Sequence, residues 1–325
     1  MSHVPCRRSR RRVVVLGGLL LVAAIASEAR ASLIIIPHYN GTVPAAAQTA
    51  FNYAINEFET RFTNNMTVNV NVGFGNTGLG QSDSTYVGGF LYSTVRGALA
   101  AEAVANPLDT IKQTVVANLP ASNPAPTNNF WMTTANAKAL GFAVNPLLSD
   151  GSILFSNAVT YTYDPNHRGV PGEYDFIGVA EHEISEVLGR DPGLGFNFFN
   201  GPAYLPNDLF RFTAPGAVHR SFAQNVPNSP GVYFSVDNGN TNLVNFWSQS
   251  IDNDDYRGDN PTDPFNQFAG AGQAHALTFA GIANLDAFGY NRAIAVPEPA
   301  TLTLFGAGFL AIGGIYVRRK RALVR

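Results

Sequence analysis

Cysteine is almost missing from this chain. The only one in 325 residues is Cys6, ahead of an apolar run at the N-terminus. The body of the protein therefore has no disulfide staples, whatever the redox state of its destination, and no thiolate ligands for a metal. Methionine is scarce too, and all three (Met1, Met66 and Met132) lie in the first half. Positive charge is concentrated at the two ends. The whole chain carries 21 Lys+Arg and 23 Asp+Glu, but eleven of the basic residues and only two acidic ones, Glu28 and Glu298, lie before Ser32 or after Val296. The stretch between them holds 10 basic and 21 acidic residues, a net of −11. Such a body has no electrostatic footprint for nucleic acid or for an anionic membrane surface. No internal repeat of fixed period is visible, and about 265 residues suffice for a packed core of one or two domains.

The ends carry addresses. Arg7, Arg8, Arg10, Arg11 and Arg12 precede the apolar run from Val13 to Ile25, and Ala29-Arg30-Ala31 forms an A-x-A cleavage site. Residues 1–31 thus read as a signal peptide, with Ser32 as the first mature residue; the run is short for a permanent span. At the other end Val296-Pro297-Glu298-Pro299 precedes an uncharged stretch from Ala300 to Val317, and Arg318, Arg319, Lys320 and Arg321 follow. Residues 300–317 are at the lower limit for a transmembrane helix, with the basic cluster as cytoplasmic anchor. Pro-Glu-Pro, apolar span and Arg cluster in that order resemble the PEP-CTERM sorting signal of exported bacterial proteins. For residues 296–325 this implies export machinery, an exosortase-type enzyme as partner, and a cell-envelope or extracellular location.

Between the ends, apolar spacing predicts alternating helices and strands. Leu33 to Ile36 reads as a buried strand ended by Pro37. Phe51, Ile55, Phe58 and Phe62 predict a helix over 44–64, and Val68, Val70 and Val72 alternate as a half-buried strand over 67–74. Gly73 to Gly80 is a glycine-rich turn without the Gly-Lys-Ser/Thr ending of a phosphate cradle. Helices are expected over 92–105, 108–119 and 134–140, with a Pro/Asn-rich loop at 121–129 and strands at 153–155 and 159–163. Beyond Arg190 the chain becomes rich in loops and short strands (209–212, 232–236, 243–247), with a closing helix over 282–288.

The stretch with the most chemistry lies in the middle. Ile177, Ala180, Ile184, Val187 and Leu188 mark one face of a helix over about 176–189, with Asp175 as N-cap and Gly189 as terminator. His182 and Glu186, four apart, stand one turn above the other, and Glu183 follows the histidine. This is the H-E-x-x-H pattern of zinc peptidases with glutamate as the second ligand. A carboxylate is an admissible zinc ligand. A solvated charged helix face is the other meaning of these residues.

Tyr174-Asp-Phe-Ile-Gly-Val-Ala-Glu-His-Glu-Ile-Ser-Glu-Val-Leu-Gly-Arg190 resembles the corresponding segment of secreted bacterial metalloproteases that are metzincin-like and end in PEP-CTERM tails. Asp208-Leu-Phe-Arg-Phe-Thr-Ala-Pro-Gly216 and Tyr233-Phe-Ser-Val-Asp237-Asn-Gly resemble further segments of those proteins. The resemblance implies an α+β zinc-peptidase domain over 32–295, with a mixed sheet, a central active-site helix and a loop- and strand-rich C-terminal part. It implies zinc as cofactor, peptide or protein as substrate, Glu183 as general base, and His182, Glu186 and Asp208 as metal ligands. His219, His275 and Asp191 are the alternatives for the third ligand. The chain departs from metzincins at Glu186, at Pro192 where a third histidine would stand, and in having no methionine after the helix.

An acidic loop follows at 252–263, with Asp252, Asp254, Asp255, Asp259 and Asp263. It could hold calcium through oxygen ligands but lacks the EF-hand spacing, and reads more simply as a solvated loop. Two non-enzymatic functions are compatible with the same residues: an inactive peptidase-like binding protein of the envelope, and a calcium-binding surface adhesin.

Overall fold

The computed structural model describes residues 32–294, apart from 192, 195–196, 199–200, 227–230 and 249–252. The expected signal peptide, the C-terminal span and Asp252 lie outside the described residues. So does Pro192.

The chain folds as α+β, around a mixed sheet. Strands β1 (Leu33–Tyr39), β2 (Met66–Gly75) and β6 (Gly151–Ser156) run parallel in the order β1-β2-β6. Strand β3 (Gly80–Ser84) closes one edge antiparallel to β6. The alternation read at 67–74 is there: Val68, Val70 and Val72 are buried. Two expectations for the first strand are corrected. It is half-buried, with Ile34 and Ile36 exposed and Leu33 and Ile35 inside, and it runs through Pro37, which pairs with Val70. An edge strand tolerates proline because one row of its N–H groups has no ladder partner to lose.

Helix α1 (Ala45–Glu59) lies against the sheet through Phe51, whose ring meets Phe155 at 5.8 Å, and packs on α5 (Phe176–Val187), the predicted central helix. Phe176, in the first turn of α5, contacts Phe155 at 4.5 Å between ring centroids, stacks on Phe74 at 6.0 Å, and meets Tyr161 edge-on at 5.4 Å. Such ring pairs add about 0.5–1.5 kcal/mol each beyond area burial. They pin the N-terminal end of α5 to the sheet. The helix is buried almost all round, not on one stripe, since it is enclosed by α1, β3 and β6. Two of its polar residues have partners close by: Arg168 reaches Glu181 at 3.4 Å, and Ser185 donates to His182 O at 2.6 Å. Gly189 ends it at φ +108°, where an added Cβ would sit 2.9 Å from Asn136 Cβ.

Around this unit lie β4 (Tyr86–Phe90) paired with β5 (Phe130–Thr133), α2 (Tyr92–Ala105), α3 (Thr110–Asn118), α4 (Thr134–Ala139), and the short parallel pair β7 (Tyr161–Thr162) and β8 (Tyr174–Asp175). The C-terminal part is loop- and strand-rich as expected. It has a hairpin of β9 (Asn197–Phe198) and β10 (Gly201–Pro202), and a sheet of β11 (Arg211–Phe212), β12 (Val232–Phe234) and β13 (Val244–Phe246). Helix α6 (Phe279–Ala287) starts three residues before the expected 282. Leu209 and Phe210, expected in a strand, belong to a 3₁₀ turn, Pro206–Phe210. Lys112 and Arg292 meet Asp286, and Arg292 also meets Asp109, so ion pairs join α6 and the residues just after it to α3.

Candidate metal centre

Helix α5 supplies two of the groups. His182 and Glu186 stand one turn apart, with His182 Nε2 3.1 Å from Glu186 Oε1. The third comes from the acidic loop: Asp255 Oδ1 lies 3.3 Å from His182 Nε2. One ligand atom from each of His182, Glu186 and Asp255 falls within 4.8 Å of the others, the only such group of three among the described residues. Asp255 is buried, while His182 and Glu186 keep side-chain exposures of 15% and 18%. All three open onto a pocket of about 750 Å³, which Glu183, Asp191, Asp254 and His275 also line.

The orientation of His182 is fixed from behind. Its Nδ1 lies 2.9 Å from the carbonyl oxygen of Pro264, so Nδ1–H donates there and Nε2 faces the carboxylates. Fixing the far nitrogen in this way is how proteins orient metal-ligating histidines. Glu186 is held on its other oxygen, Oε2, by Ser82 Oγ of β3 at 2.6 Å. Glu183 occupies space left open by Gly80 on the same strand. A Cβ at Gly80 would come within 2.7 Å of Glu183 Cδ.

Charge is out of balance here. Glu183, Glu186, Asp191, Asp254 and Asp255 line one pocket together with His182, and Arg190, wholly buried, is the cation built in behind them. Arg190 Nη1 is 2.6 Å from Asp255 Oδ1 and its Nη2 is 3.4 Å from Glu186 Oε1; its Nε donates to Ser185 Oγ at 2.7 Å. The ring of Phe265 covers the guanidinium at 4.8 Å. Burial works against the charged form of every one of these groups, and neighbours decide the outcome. Burial alone would raise Glu186, but the charge and hydrogen bond of His182, Arg190, and the Ser82 hydroxyl bring it down to about 2. Burial opposes a charged His182, but Asp255 and Glu186 carry it up to about 10. Glu183 has no such cation of its own, and burial together with the Glu186 charge pushes it well above the carboxylate range. Burial and Glu186 likewise lift Asp191 to about 8; its carboxylate accepts the Tyr86 hydroxyl.

Asp208, expected as third ligand, does not join this group. It lies in the 3₁₀ turn 206–210, where its Oδ2 accepts the backbone N–H of Leu205 at 2.8 Å and of Gly193 at 2.9 Å. A short acidic side chain at a turn bonds neighbouring amides readily, and Asp208 Oδ2 is committed to that. His219 is exposed on a separate 3₁₀ turn, Ala217–His219. Asp191 and His275 line the pocket but stand outside the group of three. The acidic loop is not solvated as expected: Asp254, Asp255 and Asp263 are buried, and only Asp259 of the described acidic residues is exposed. Asp263 is spent on Phe265 N at 2.9 Å and on the Thr278 hydroxyl, while Asp254 accepts Asn207 Nδ2 at 3.1 Å.

Comparison with known families finds the PEP-CTERM protein-sorting motif over residues 295–321. That motif marks export to the cell envelope and recognition by an exosortase-type sorting enzyme. No curated protein and no solved structure matches the chain. Among the described residues no helix is long and apolar enough to cross a membrane.

Proposed function

We propose that this protein is an exported zinc-dependent peptidase whose metal ligands are His182, Glu186 and Asp255 and whose general base is Glu183. The observation that carries the proposal is the convergence of those three ligand atoms on the wall of a pocket that Glu183 shares. One imidazole nitrogen and two carboxylate oxygens make a donor set within zinc's range, whereas calcium takes oxygen alone. The backing of His182 by the Pro264 carbonyl fits the same role. The resemblance of 174–190 to secreted metalloproteases supports it, and the sorting motif accords with export.

Zinc at such a site supplies Lewis acidity and lowers the pKa of water. The chain's own residues do the rest. Glu183, held against Gly80, takes the proton of the attacking water and returns it to the departing amine. Ser82 and Arg190 hold Glu186 and Asp255 in place. Two anionic ligands leave less positive charge on the ion than histidines would, which points to a slow enzyme.

A second reading is favoured by one contact. Arg190 already pairs with Asp255 and Glu186, so the carboxylates have a cation without any metal, as in an inactive peptidase-like binding protein. Metal analysis of the purified full chain after zinc loading separates the two. The peptidase reading expects one zinc per chain and cleavage of unfolded protein substrates. In Glu183→Gln the zinc stays and cleavage falls by about 10²–10⁴-fold. A wild type that takes up no zinc selects the binding protein. Equal cleavage by wild type and variant removes Glu183 from the mechanism.

A further inference from the structure

His275 is 3% exposed, yet its Nε2 has no hydrogen-bond partner. An unmet buried polar atom costs about 1–3 kcal/mol, so its persistence calls for a reason. The ring lines the same pocket as Glu183 and His182, and apart from His182 it is the one histidine there. Its other nitrogen, Nδ1, stands 3.5 Å from Asp175 Oδ2, a charge contact too long for a good hydrogen bond. The backbone N–H of His275 donates to the same Oδ2 at 2.8 Å, and Arg168 Nε donates to both Asp175 oxygens at 3.0 and 2.9 Å. Asp175 is the N-cap residue of α5, but its side chain makes no capping bond and is given to Arg168 and His275 instead.

Gly178 makes this placement possible. A Cβ there would lie 2.7 Å from His275 Cβ and 3.0 Å from its Nδ1. The imidazole therefore rests on bare backbone of α5 at a position four residues before His182. Four residues of helix rise about 6 Å. A peptide bond held at His182, Glu186 and Asp255 is thus within reach of a group one turn along the same helix.

From this arrangement we propose that His275 is a catalytic residue of the peptidase reaction, with Nε2–H donating to the oxyanion that develops on the scissile carbonyl, and that Asp175 is its positioning residue. This rests on the peptidase reading above. The carboxylates crowding the pocket cannot stabilise an oxyanion; an imidazole that carries its proton on Nε2, on a residue whose backbone N–H is held by Asp175, can. The unmet Nε2 is then a donor whose acceptor arrives with the substrate.

The experiment uses the full chain loaded with zinc, as wild type and His275→Gln, and two equilibrium probes: a phosphonate dipeptide, which carries a tetrahedral anion, and the matching free dipeptide. In His275→Gln, zinc stoichiometry and free-dipeptide affinity should stay within about threefold of wild type. Phosphonate affinity should fall about 30–100-fold, and kcat about 10²-fold with KM nearly unchanged. Imidazole nitrogen NMR on the wild type needs no variant: the Nε2 resonance of His275 should move when phosphonate binds. Phosphonate affinity equal in the two proteins, or a His275 resonance that does not move, overturns the assignment. Loss of zinc in His275→Gln also overturns it, by making His275 a ligand. If zinc-loaded wild type neither cleaves nor binds phosphonate, the peptidase reading has failed and this assignment falls with it. Cleavage with an indifferent His275→Gln defeats this assignment alone.

Discussion

Arg190 Nη1 lies 2.6 Å from Asp255 Oδ1, so a wholly buried guanidinium touches one of the three atoms that would hold a metal. This contact sets a competition between two cations for the same carboxylates. Without metal, Arg190 and His182 are what keep Glu186 and Asp255 from standing as uncompensated charge. Removing Arg190 should then cost the metal-free protein about 3–5 kcal/mol, the usual penalty for breaking a buried pair. Zinc should restore more stability in Arg190→Met than in wild type, because the metal takes over the lost charge. Urea unfolding of both proteins, with zinc and with chelator, gives the four values needed. If zinc leaves Arg190→Met as unstable as chelator does, the cluster is an ion-pair network and holds no metal.

The proposed ligand assignment puts Asp255 in the place that the resemblance implied for Asp208. Asp255→Asn should remove zinc, since a neutral amide is a poor replacement for a carboxylate ligand. Asp208→Asn should keep it. That variant weakens the two amide bonds at Leu205 and Gly193 and should lower stability by about 1–3 kcal/mol instead. Metal content measured beside unfolding free energy distinguishes them. Zinc lost from Asp208→Asn and kept by Asp255→Asn would reverse the assignment.

These two residues show what the sequence could tell. Helix α5 was legible because a 3.6-residue apolar period and a His-Glu pair are local signals, and the 67–74 strand because strict alternation is one too. Asp255 was visible as part of an acidic loop that could hold calcium, but not as a partner of His182 and Glu186. It reaches His182 through a loop far downstream, where no period links the partners. Strand β3 went unread for a related reason. Gly80-Gln-Ser-Asp-Ser84 is a polar edge strand that faces the pocket, so it has none of the apolar alternation that marks a strand on a core. Asp208 was put forward on a resemblance between segments, and such a resemblance does not say what a residue is used for.

Outside the pocket lining, Asp109 ties Arg292 to α3 and should make the fold acid-labile. It is the N-cap of α3, accepting Ile111 N at 3.0 Å, and Arg292 Nη2 donates to it at 2.8 Å. Burial alone would raise its pKa, but the hydrogen bond and charge of Arg292 overcome this and leave it lowered. A carboxyl whose folded pKa lies below its unfolded value, about 3.9, adds stability above that value and loses it as pH falls through the folded pKa. Asp109→Asn keeps the cap but drops the charge. It should be less stable than wild type by about 1–3 kcal/mol at pH 7, with the gap closing below pH 4. Urea titrations at pH 7, 4 and 2.5 test this, and a gap that stays constant across them would show that the charge contributes nothing.

Gly80→Ala addresses the base without changing it. Strand β3 runs beside α5, and an alanine Cβ at residue 80 would overlap the Glu183 carboxylate, 2.7 Å from its Cδ. Either the strand or the glutamate must move. The glutamate is the softer of the two, because β3 is fixed by its antiparallel register with β6, Gly80 against Phe155. His182, Glu186 and Asp255 are untouched, so zinc should bind at wild-type stoichiometry. A base displaced by about 1 Å costs on the order of 10²-fold in rate, a loss that should appear in kcat with little change in KM. Ser82, two residues along β3, serves as the control: Ser82→Ala removes the hydroxyl that holds Glu186 Oε2 at 2.6 Å and should weaken zinc before it touches kcat. Steady-state kinetics beside metal content for the two variants decides the matter. Gly80→Ala with full activity would mean that Glu183 does its work from elsewhere, or does none.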